Sequence, residues 1–262
     1  MSEEKYDLGG ESGMKFEKGK FGKWFENFWY HYKWHVIITL FLLVVIIICT
    51  AQLCSREEYD VHIIYAGSSD VMSRGEENDI STYETLKKSI SEAVRDFDGN
   101  GEINPSLEAL YMLSADERAE IEKELADKKA NGEGSYELNY VQLNENDKTF
   151  RDRITFSDYY IYIISEPIYK AYQTSENGVS VFVSLRDLVG EDSDVLFLDD
   201  SAIYLSSTEF GKLPGLCDLP ENTLITLRTV EAISSHFNKE EAERHFKNSK
   251  EVVKNMLSYG EK

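Results

Sequence analysis

The feature that most constrains this chain is an apolar run near its beginning. Between Lys33 and Arg56 there are 22 residues without Asp, Glu, Lys or Arg, and most of Val36–Cys49 is Val, Ile, Leu or Phe. At a rise of about 1.5 Å per residue, roughly 20 helical residues cross a hydrocarbon core of about 30 Å. A soluble helix would show a polar face here, and this run has none. The run therefore predicts one transmembrane helix over Val36–Leu53.

The charges on either side of the run predict its orientation. Five lysines precede it within about 20 residues, whereas the comparable stretch after it has only Arg56. The positive-inside rule then places the N-terminus in the cytoplasm and the remainder of the chain outside the cell membrane. A cleaved signal peptide and a lipoprotein are the alternatives. A cleaved signal peptide would need an A-x-A-like cleavage site, which the sequence lacks. A lipoprotein would need a small residue before its acceptor cysteine, but Leu53 precedes Cys54, so an uncleaved anchor is favoured.

Net charge is divided unevenly between the two sides of this predicted span. Residues 1–53 hold six lysines and six acidic residues, so the remaining 22 basic and 42 acidic residues carry the whole charge of −20. A domain this acidic does not release counterions from nucleic acid, which excludes a nucleic-acid reader, and it favours cationic partners. With three cysteines in the chain there is no disulfide framework. The 209 residues of 54–262 are enough for one extracytoplasmic domain with its own core.

The cytoplasmic tail, residues 1–35, is rich in lysine and aromatic residues. All three tryptophans lie in Phe16–Trp34, with aromatic side chains recurring at helical spacing and lysines between them. Such a pattern predicts an interfacial helix on the inner membrane surface, because aromatic rings prefer the headgroup level and lysines attract anionic lipid. A docking helix for a membrane partner is the alternative. Met1–Gly13 is polar and has three glycines, which predicts disorder.

Alternating strand and helix patterns fill the external domain. The predicted strands are Tyr59–Ala66, Leu107–Leu113, Tyr136–Leu143, Tyr159–Ser165, Val179–Leu185, Val195–Leu198 and Leu224–Val230. Helices are predicted after capping residues at Ser81, Ser114 and Asn238, over Asp147–Phe156, and from Glu166 to Tyr172. The alternation predicts an α/β domain with a mostly parallel, helix-covered sheet.

One motif in this domain carries specific chemistry, the sequence DFDGNGEIN at Asp96–Asn104. It resembles the calcium loop of an EF-hand, with Asp96, Asp98 and Asn100 at positions 1, 3 and 5 and Gly101 at the sharp turn. The carbonyl of Glu102 would serve at position 7. Since Ca²⁺ prefers six to eight oxygen ligands, the motif predicts a calcium site made by these four residues.

The loop departs from the EF-hand pattern at its end. Position 12, which normally provides a bidentate Glu, is Leu107, and a strand pattern replaces the exit helix. The missing carboxylate would have to come from Glu108 or from elsewhere in the fold. An ordinary turn is the alternative interpretation, because Asp, Asn and Gly dominate turns in any case.

The KWH sequence at Lys33–His35, the single anchor and the Asp/Asn/Gly loop together resemble uncharacterised membrane-anchored extracytoplasmic proteins of Gram-positive bacteria. The resemblance covers most of the chain and implies the same anchored arrangement, but no activity. The order of elements alone is also similar to one lobe of an extracytoplasmic solute-binding protein.

Other residues that could carry chemistry give weaker signals. His62 stands alone in a strand, and His236 and His245 have no ligand spacing, so no zinc site is predicted. Four acidic residues surround one predicted strand and form either a solvated face or an acid–base or cation site: Asp192, Asp194, Asp199 and Asp200. Tyrosines are also abundant, and they either fill a half-buried sheet or line a recognition surface: Tyr136, Tyr140, Tyr159, Tyr160, Tyr162, Tyr169, Tyr172 and Tyr204. No catalytic motif is present. The chain is therefore interpreted as a binding module, accessory to an envelope protein such as a transporter, and the alternative is a metal-assisted hydrolase with acidic catalytic residues.

Overall fold

The computed structural model describes residues 20–54, 59–72, 82–132, 137–174, 178–189, 194–230 and 239–260. The chain forms two compact units, residues 1–57 and 58–262, and each is described by itself. The predicted caps Ser81 and Asn238, the tail Met1–Gly13, and Tyr136, Asp192 and His236 lie outside the described residues.

The first unit contains one continuous helix, α1, over Lys20–Cys54. Its 35 residues correspond to a length of about 52 Å. Within Asn27–Ala51, an 18-residue window has a mean hydropathy of 2.7 and no buried residue, so this helix is long and apolar enough to cross a membrane. The aromatic segment belongs to the same helix, where the rings of Trp24 and Phe28 stack at 5.6 Å between centroids. No break in the helix separates the predicted interfacial part from the predicted span.

The second unit is built on a six-stranded sheet. Its strands are β1 (Val61–Gly67), β2 (Pro105–Tyr111), β3 (Ile161–Ser165), β4 (Phe197–Asp199), β5 (Ala202–Tyr204) and β6 (Thr223–Leu227), in the order β2-β1-β3-β6-β5-β4. β1 is parallel to β2 and β3, whereas β3, β6, β5 and β4 pair antiparallel.

The α/β class is confirmed, but the sheet is mixed and the prediction of a mostly parallel sheet is wrong. β4 ends at Asp199 and β5 begins at Ala202. A connection of two residues joins antiparallel strands, because a parallel pair needs a crossover of a dozen or more residues. The β4–β5 hairpin thus makes this end of the sheet antiparallel, whereas the helix Glu166–Tyr172 lies between β3 and β4 and the longer segment 205–222 lies between β5 and β6.

Helices cover both faces of the sheet. The helices described in this unit are α2 (Thr82–Ser91), α3 (Ala115–Ala130), α4 (Tyr140–Phe156), α5 (Glu166–Tyr172) and α6 (Lys239–Leu257), of which α3 buries none of its residues. One core cluster joins Leu86 of α2 and Val253 of α6 to the sheet, and a second joins Phe150 of α4 and Ile168 of α5 to its other side. All five residues of β3 are buried, as the unbroken apolar run of that segment predicts.

Local sequence signals explain some of the helix boundaries. The capping box at Ser114 is confirmed, since its hydroxyl accepts from the Glu117 N–H at 3.2 Å and the Glu117 carboxylate accepts from the Ser114 N–H at 2.7 Å. The predicted strand Tyr136–Leu143 is wrong, because α4 begins at Tyr140 and buries Leu143 one turn later. Val179–Leu185 is likewise not a strand; it makes isolated bridges at Ser180 and Phe182.

Candidate metal centre

The predicted calcium loop lies between α2 and β2, and its backbone takes the form that a tight cation loop requires. Gly99 and Gly101 have φ angles of +76° and +88°. Side chains rarely adopt this conformation, although a Cβ at either position would meet nothing within 4 Å. The two glycines are thus needed for backbone conformation and not for space.

Asp96 is the centre of the loop. Its Oδ2 accepts a hydrogen bond from the Gly101 N–H at 2.8 Å and its Oδ1 accepts from the Gly99 N–H at 2.6 Å. The Gly101 N–H, with a further contribution from Gly99, holds the pKa of Asp96 below its ordinary value. This carboxylate is therefore fixed in position and stays negatively charged.

Asp98 and Asn100 continue the same turn. Asp98 accepts from the Asn100 backbone N–H at 2.9 Å and from the Asn100 side-chain amide at 2.8 Å. The Asn100 side-chain oxygen accepts from the Glu102 N–H at 2.7 Å. The structure thus brings the four predicted ligands onto one exposed turn, with successive oxygens oriented by backbone N–H groups.

Asp60, just before β1, was not identified from the sequence. It is 4 % exposed, its Oδ1 accepts from the Phe97 N–H at 2.7 Å, and its Oδ2 accepts from the Asn104 N–H at 2.8 Å. One buried carboxylate therefore holds both ends of the loop against the start of β1. Carboxylate oxygens of Asp60, Asp96 and Asp98 all lie within 4.8 Å of one another. Three like charges at this separation repel each other and favour a bound cation.

The two residues that follow the loop, Leu107 and Glu108, do not join this group of carboxylates. Leu107 is buried in the core under α2 and α6, and Glu108 forms an ion pair with Arg153 of α4 at 2.7 Å. Glu108 is thus committed to another contact, and the nearby carboxylate from elsewhere in the fold is that of Asp60. Sequence reasoning missed it because the parallel register of β1 and β2, which pairs Val61 with Pro105, places the two strand starts side by side.

A second group of predicted acidic residues lies at a polar cleft of about 500 Å³ between the end of α5 and the β4–β5 turn. Both oxygens of Asp199 accept from the Tyr169 hydroxyl at 2.9 Å, and Asp200 pairs with Arg186. Asp194 is exposed. The two carboxylates that line the cleft therefore each have a partner, Tyr169 for Asp199 and Arg186 for Asp200.

Three of the predicted tyrosines are structural. Tyr160, Tyr162 and Tyr169 are almost fully buried, and burial is the main cause that raises the pKa of Tyr162 and of Tyr169. Among the others that the structure describes, Tyr140 is exposed and Tyr159, Tyr172 and Tyr204 are half-buried. The interpretation of these residues as a recognition surface is wrong for the three buried ones, which fill the core.

Arg228, at the end of β6, is a buried cation that sequence reasoning also missed. Its guanidinium donates to the carbonyls of Ile154 at 2.7 Å, Arg153 at 3.1 Å and Ser157, and it lies 5.0 Å from the ring centroid of Tyr160. These carbonyls end α4, where the helix dipole is negative and attracts a cation. Arg228 therefore fastens α4 to the sheet and is structural.

The comparisons with known proteins add nothing to this geometry: no family model, no curated protein and no solved structure matches the chain.

Proposed function

We propose that this chain is a single-pass, membrane-anchored extracytoplasmic binding module whose Asp96–Asn104 loop takes up Ca²⁺. The observation that carries the calcium assignment is the placement of Asp60. An ordinary Asp/Asn/Gly turn does not need a buried carboxylate from a distant strand beside its own acidic residues. A calcium loop that lacks its last carboxylate does need such a carboxylate from elsewhere in the fold.

The ligand set suits a hard dication. Ca²⁺ takes six to eight oxygens at about 2.3–2.6 Å in a flexible arrangement. Asp96, Asp98, Asn100 and the Glu102 carbonyl supply the first four, Asp60 adds a carboxylate oxygen, and water completes the shell. Without a bidentate Glu at position 12, we expect a dissociation constant on the order of 10⁻⁴–10⁻³ M, as in extracellular modules. This affinity fits the external location proposed from the lysine asymmetry.

Calcium would act here as a structural clamp. The loop follows α2 and leads into β2, while Asp60 precedes β1, so one ion would join three elements of the fold. At ten times the dissociation constant, binding to the folded state alone adds about 1.4 kcal/mol to the free energy of unfolding. The clamp would hold the first half of the sheet in place.

As a binding module, the domain would work beside another envelope protein such as a transporter. Its support is the charge of −20 on residues 54–262, which suits a partner with a basic surface, together with the resemblance to anchored extracytoplasmic proteins. The metal-assisted hydrolase lacks comparable support, since the carboxylates at the described cleft are engaged by Tyr169 and Arg186.

Calorimetric titration of the full chain in detergent with CaCl₂ tests the calcium site. We expect one site per chain with a submillimolar to millimolar dissociation constant, lost in the Asp96→Ala/Asp98→Ala double variant. The matched control is Asp152→Ala/Asp194→Ala, which removes two exposed carboxylates elsewhere and should leave binding unchanged. Equal binding by the two double variants would mean that Ca²⁺ is attracted only by the overall charge.

A further inference from the structure

The two edge strands of the sheet, β2 and β4, differ in how their outer main-chain groups are satisfied. An edge strand has N–H and C=O groups without a strand partner, which proteins normally cover. Because the Met112 N–H bonds to β1, the main-chain groups of Leu107 and Tyr111 face the other way, toward the outer side of β2. Their carbonyls accept from the Tyr83 hydroxyl at 2.7 Å and from the Asn146 side-chain amide at 2.9 Å. Side chains of α2 and α4 thus cover this edge.

The outer edge of β4 has no such cover. The Tyr204 N–H of β5 donates to the Leu196 carbonyl at 2.9 Å, and the Leu196 N–H donates to the Ser207 hydroxyl at 2.9 Å. The main-chain groups of Leu196 therefore face β5, and those of Val195 and Phe197 face the outer side, since direction alternates along a strand. No hydrogen bond to these outer groups is present among the residues that the structure describes.

The side chains of this edge are apolar. Residues 195–198 are Val, Leu, Phe and Leu. Leu196 is 60 % exposed, and the other three are half-buried. An open edge with apolar side chains is the kind of surface to which an extended segment of another protein adds as a strand, because main-chain hydrogen bonds provide affinity and alternate side chains provide specificity.

Acidic residues at both ends of the apolar run determine what kind of segment fits. The exposed Asp194 precedes the run, and Asp199 and Asp200 follow it. If two copies of this chain paired antiparallel about the centre of the run, Asp194 of one copy would lie opposite Asp199 of the other, and like charges at opposed positions destabilise strand pairing. An apolar segment with Lys or Arg at its ends has the complementary charge.

The polar cleft of about 500 Å³ lies at the same end of β4, where Asp199 and Asp200 line it. Asp199 is held in place by the Tyr169 hydroxyl and by the Ser201 N–H at 2.8 Å. A carboxylate has about four acceptor positions, so Asp199 retains room for a further donor. The two carboxylates and the guanidinium of Arg186, which pairs with Asp200, sum to one negative charge. The cleft therefore suits the side chain of a Lys or Arg.

We propose that β4 takes up an extended segment of the partner protein as a seventh strand, with apolar side chains over Leu196 and a Lys or Arg side chain in the cleft at Asp199. This inference rests on the proposed function as a binding module and adds the contact surface and the chemistry of the partner. Residues 195–199 span about 17 Å, which corresponds to a segment of about five residues.

Fluorescence anisotropy of a labelled peptide with the full chain in a non-ionic detergent tests the proposal. The probe is Lys-Val-Thr-Val-Lys with both ends blocked, and we expect saturable binding. Leu196→Lys adds a positive charge at an exposed position whose main chain faces β5, so it should keep the fold and weaken binding at least tenfold. The matched control is Val141→Lys, which adds the same charge at a 69 % exposed apolar residue of α4 and should leave binding unchanged.

A second peptide separates strand addition from simple attraction of charge. It has the same sequence with N-methyl groups on its three central residues, which keeps both lysines and removes main-chain donors. We expect it to bind at least tenfold more weakly than the first peptide. Hydrogen exchange of residues 195–199 should slow with the first peptide and not with the second.

Three results would overturn the proposal, and each is distinct from a failure of the proposed function. Equal binding of both peptides, or undiminished binding by Leu196→Lys, would keep a basic partner but remove β4 as its site. A dimer of the peptide-free chain that Leu196→Lys dissociates would assign the edge to a second copy. Absence of saturable binding by both peptides would remove strand addition and leave the calcium site, which other residues form, to its own titration.

Discussion

Among the described residues, Asp60 and Arg228 are the two buried side chains of acidic or basic type, and each is hydrogen-bonded to main-chain groups, although the Arg228 Nε has no partner among those residues. Asp60 accepts N–H groups from the two ends of one loop, and Arg228 donates to carbonyls at the end of one helix. Buried charges are tolerated when hydrogen bonds replace their hydration. Each side chain thus holds a main-chain segment against the sheet.

The first residue-scale prediction concerns Asp60→Asn. An amide has one acceptor oxygen, so one of the two N–H groups, that of Phe97 or of Asn104, loses its partner. We expect the free energy of unfolding to fall by about 1–3 kcal/mol and calcium binding to weaken at least tenfold, both measured on the same protein. Asp152→Asn is the matched surface control and should change neither quantity. Normal calcium affinity in Asp60→Asn would remove Asp60 from the site.

The second residue-scale prediction is that Arg228→Met lowers the free energy of unfolding by about 3 kcal/mol, because carbonyls at the end of α4 lose their donors. Urea denaturation followed by circular dichroism measures the change. Arg186→Met, at an exposed arginine that pairs with Asp200, should cost at most about 1 kcal/mol. Similar decreases in the free energy of unfolding for the two variants would show that the buried guanidinium does not hold α4 to the sheet.

At the scale of elements, the segment between β5 and β6 packs unusually close to its own backbone. A Cβ added at Gly211 would lie 2.0 Å from the Leu205 carbonyl oxygen. Gly211→Ala should therefore lower the free energy of unfolding, measured by urea denaturation, by about 1–3 kcal/mol or more, because the main chain around Leu205 must move. Gly132→Ala is a control with a positive φ but nothing within 4 Å, and it should cost only about 1 kcal/mol. Equal costs would contradict the close packing.

Elements with a strong local signal were predicted well from the sequence. The unbroken apolar run ending at Ser165 gave β3, and Glu166 and Pro167 gave the start of α5. α4 was placed seven residues too late, because the aromatic and β-branched residues Tyr140 and Val141 have strand propensity and yet lie in the first helical turn. Tertiary packing of Leu143 overrides that propensity.

The candidate sites show the same division between local and distant information. The calcium loop is contiguous, so its spacing was visible in the sequence. Asp60 enters through the register of β1 and β2. This contact leaves no pattern within one segment, which is why sequence reasoning missed it.

For the whole molecule, we predict that the tail is cytoplasmic and residues 54–262 are external. The physical reason is the lysine excess before the apolar run of α1. Cysteine-accessibility labelling on intact cells measures it, with Ser12→Cys or Lys262→Cys in a chain whose three native cysteines are replaced. Lys262→Cys should react with an impermeant reagent and Ser12→Cys should not. The reverse pattern would invert the topology and place the loop where free calcium is scarce.

The most direct measurement of the central claim is a thermal melt of the external domain, as a fragment starting at Arg56, in EDTA and in CaCl₂ at ten times the measured dissociation constant. A gain of about 1.4 kcal/mol should raise the melting temperature by roughly 3–6 °C for a domain of this size. Asp96→Ala/Asp98→Ala should lose this shift, and Asp152→Ala/Asp194→Ala should keep it. An equal shift in all three proteins would mean charge screening alone, and the loop would then be an ordinary turn.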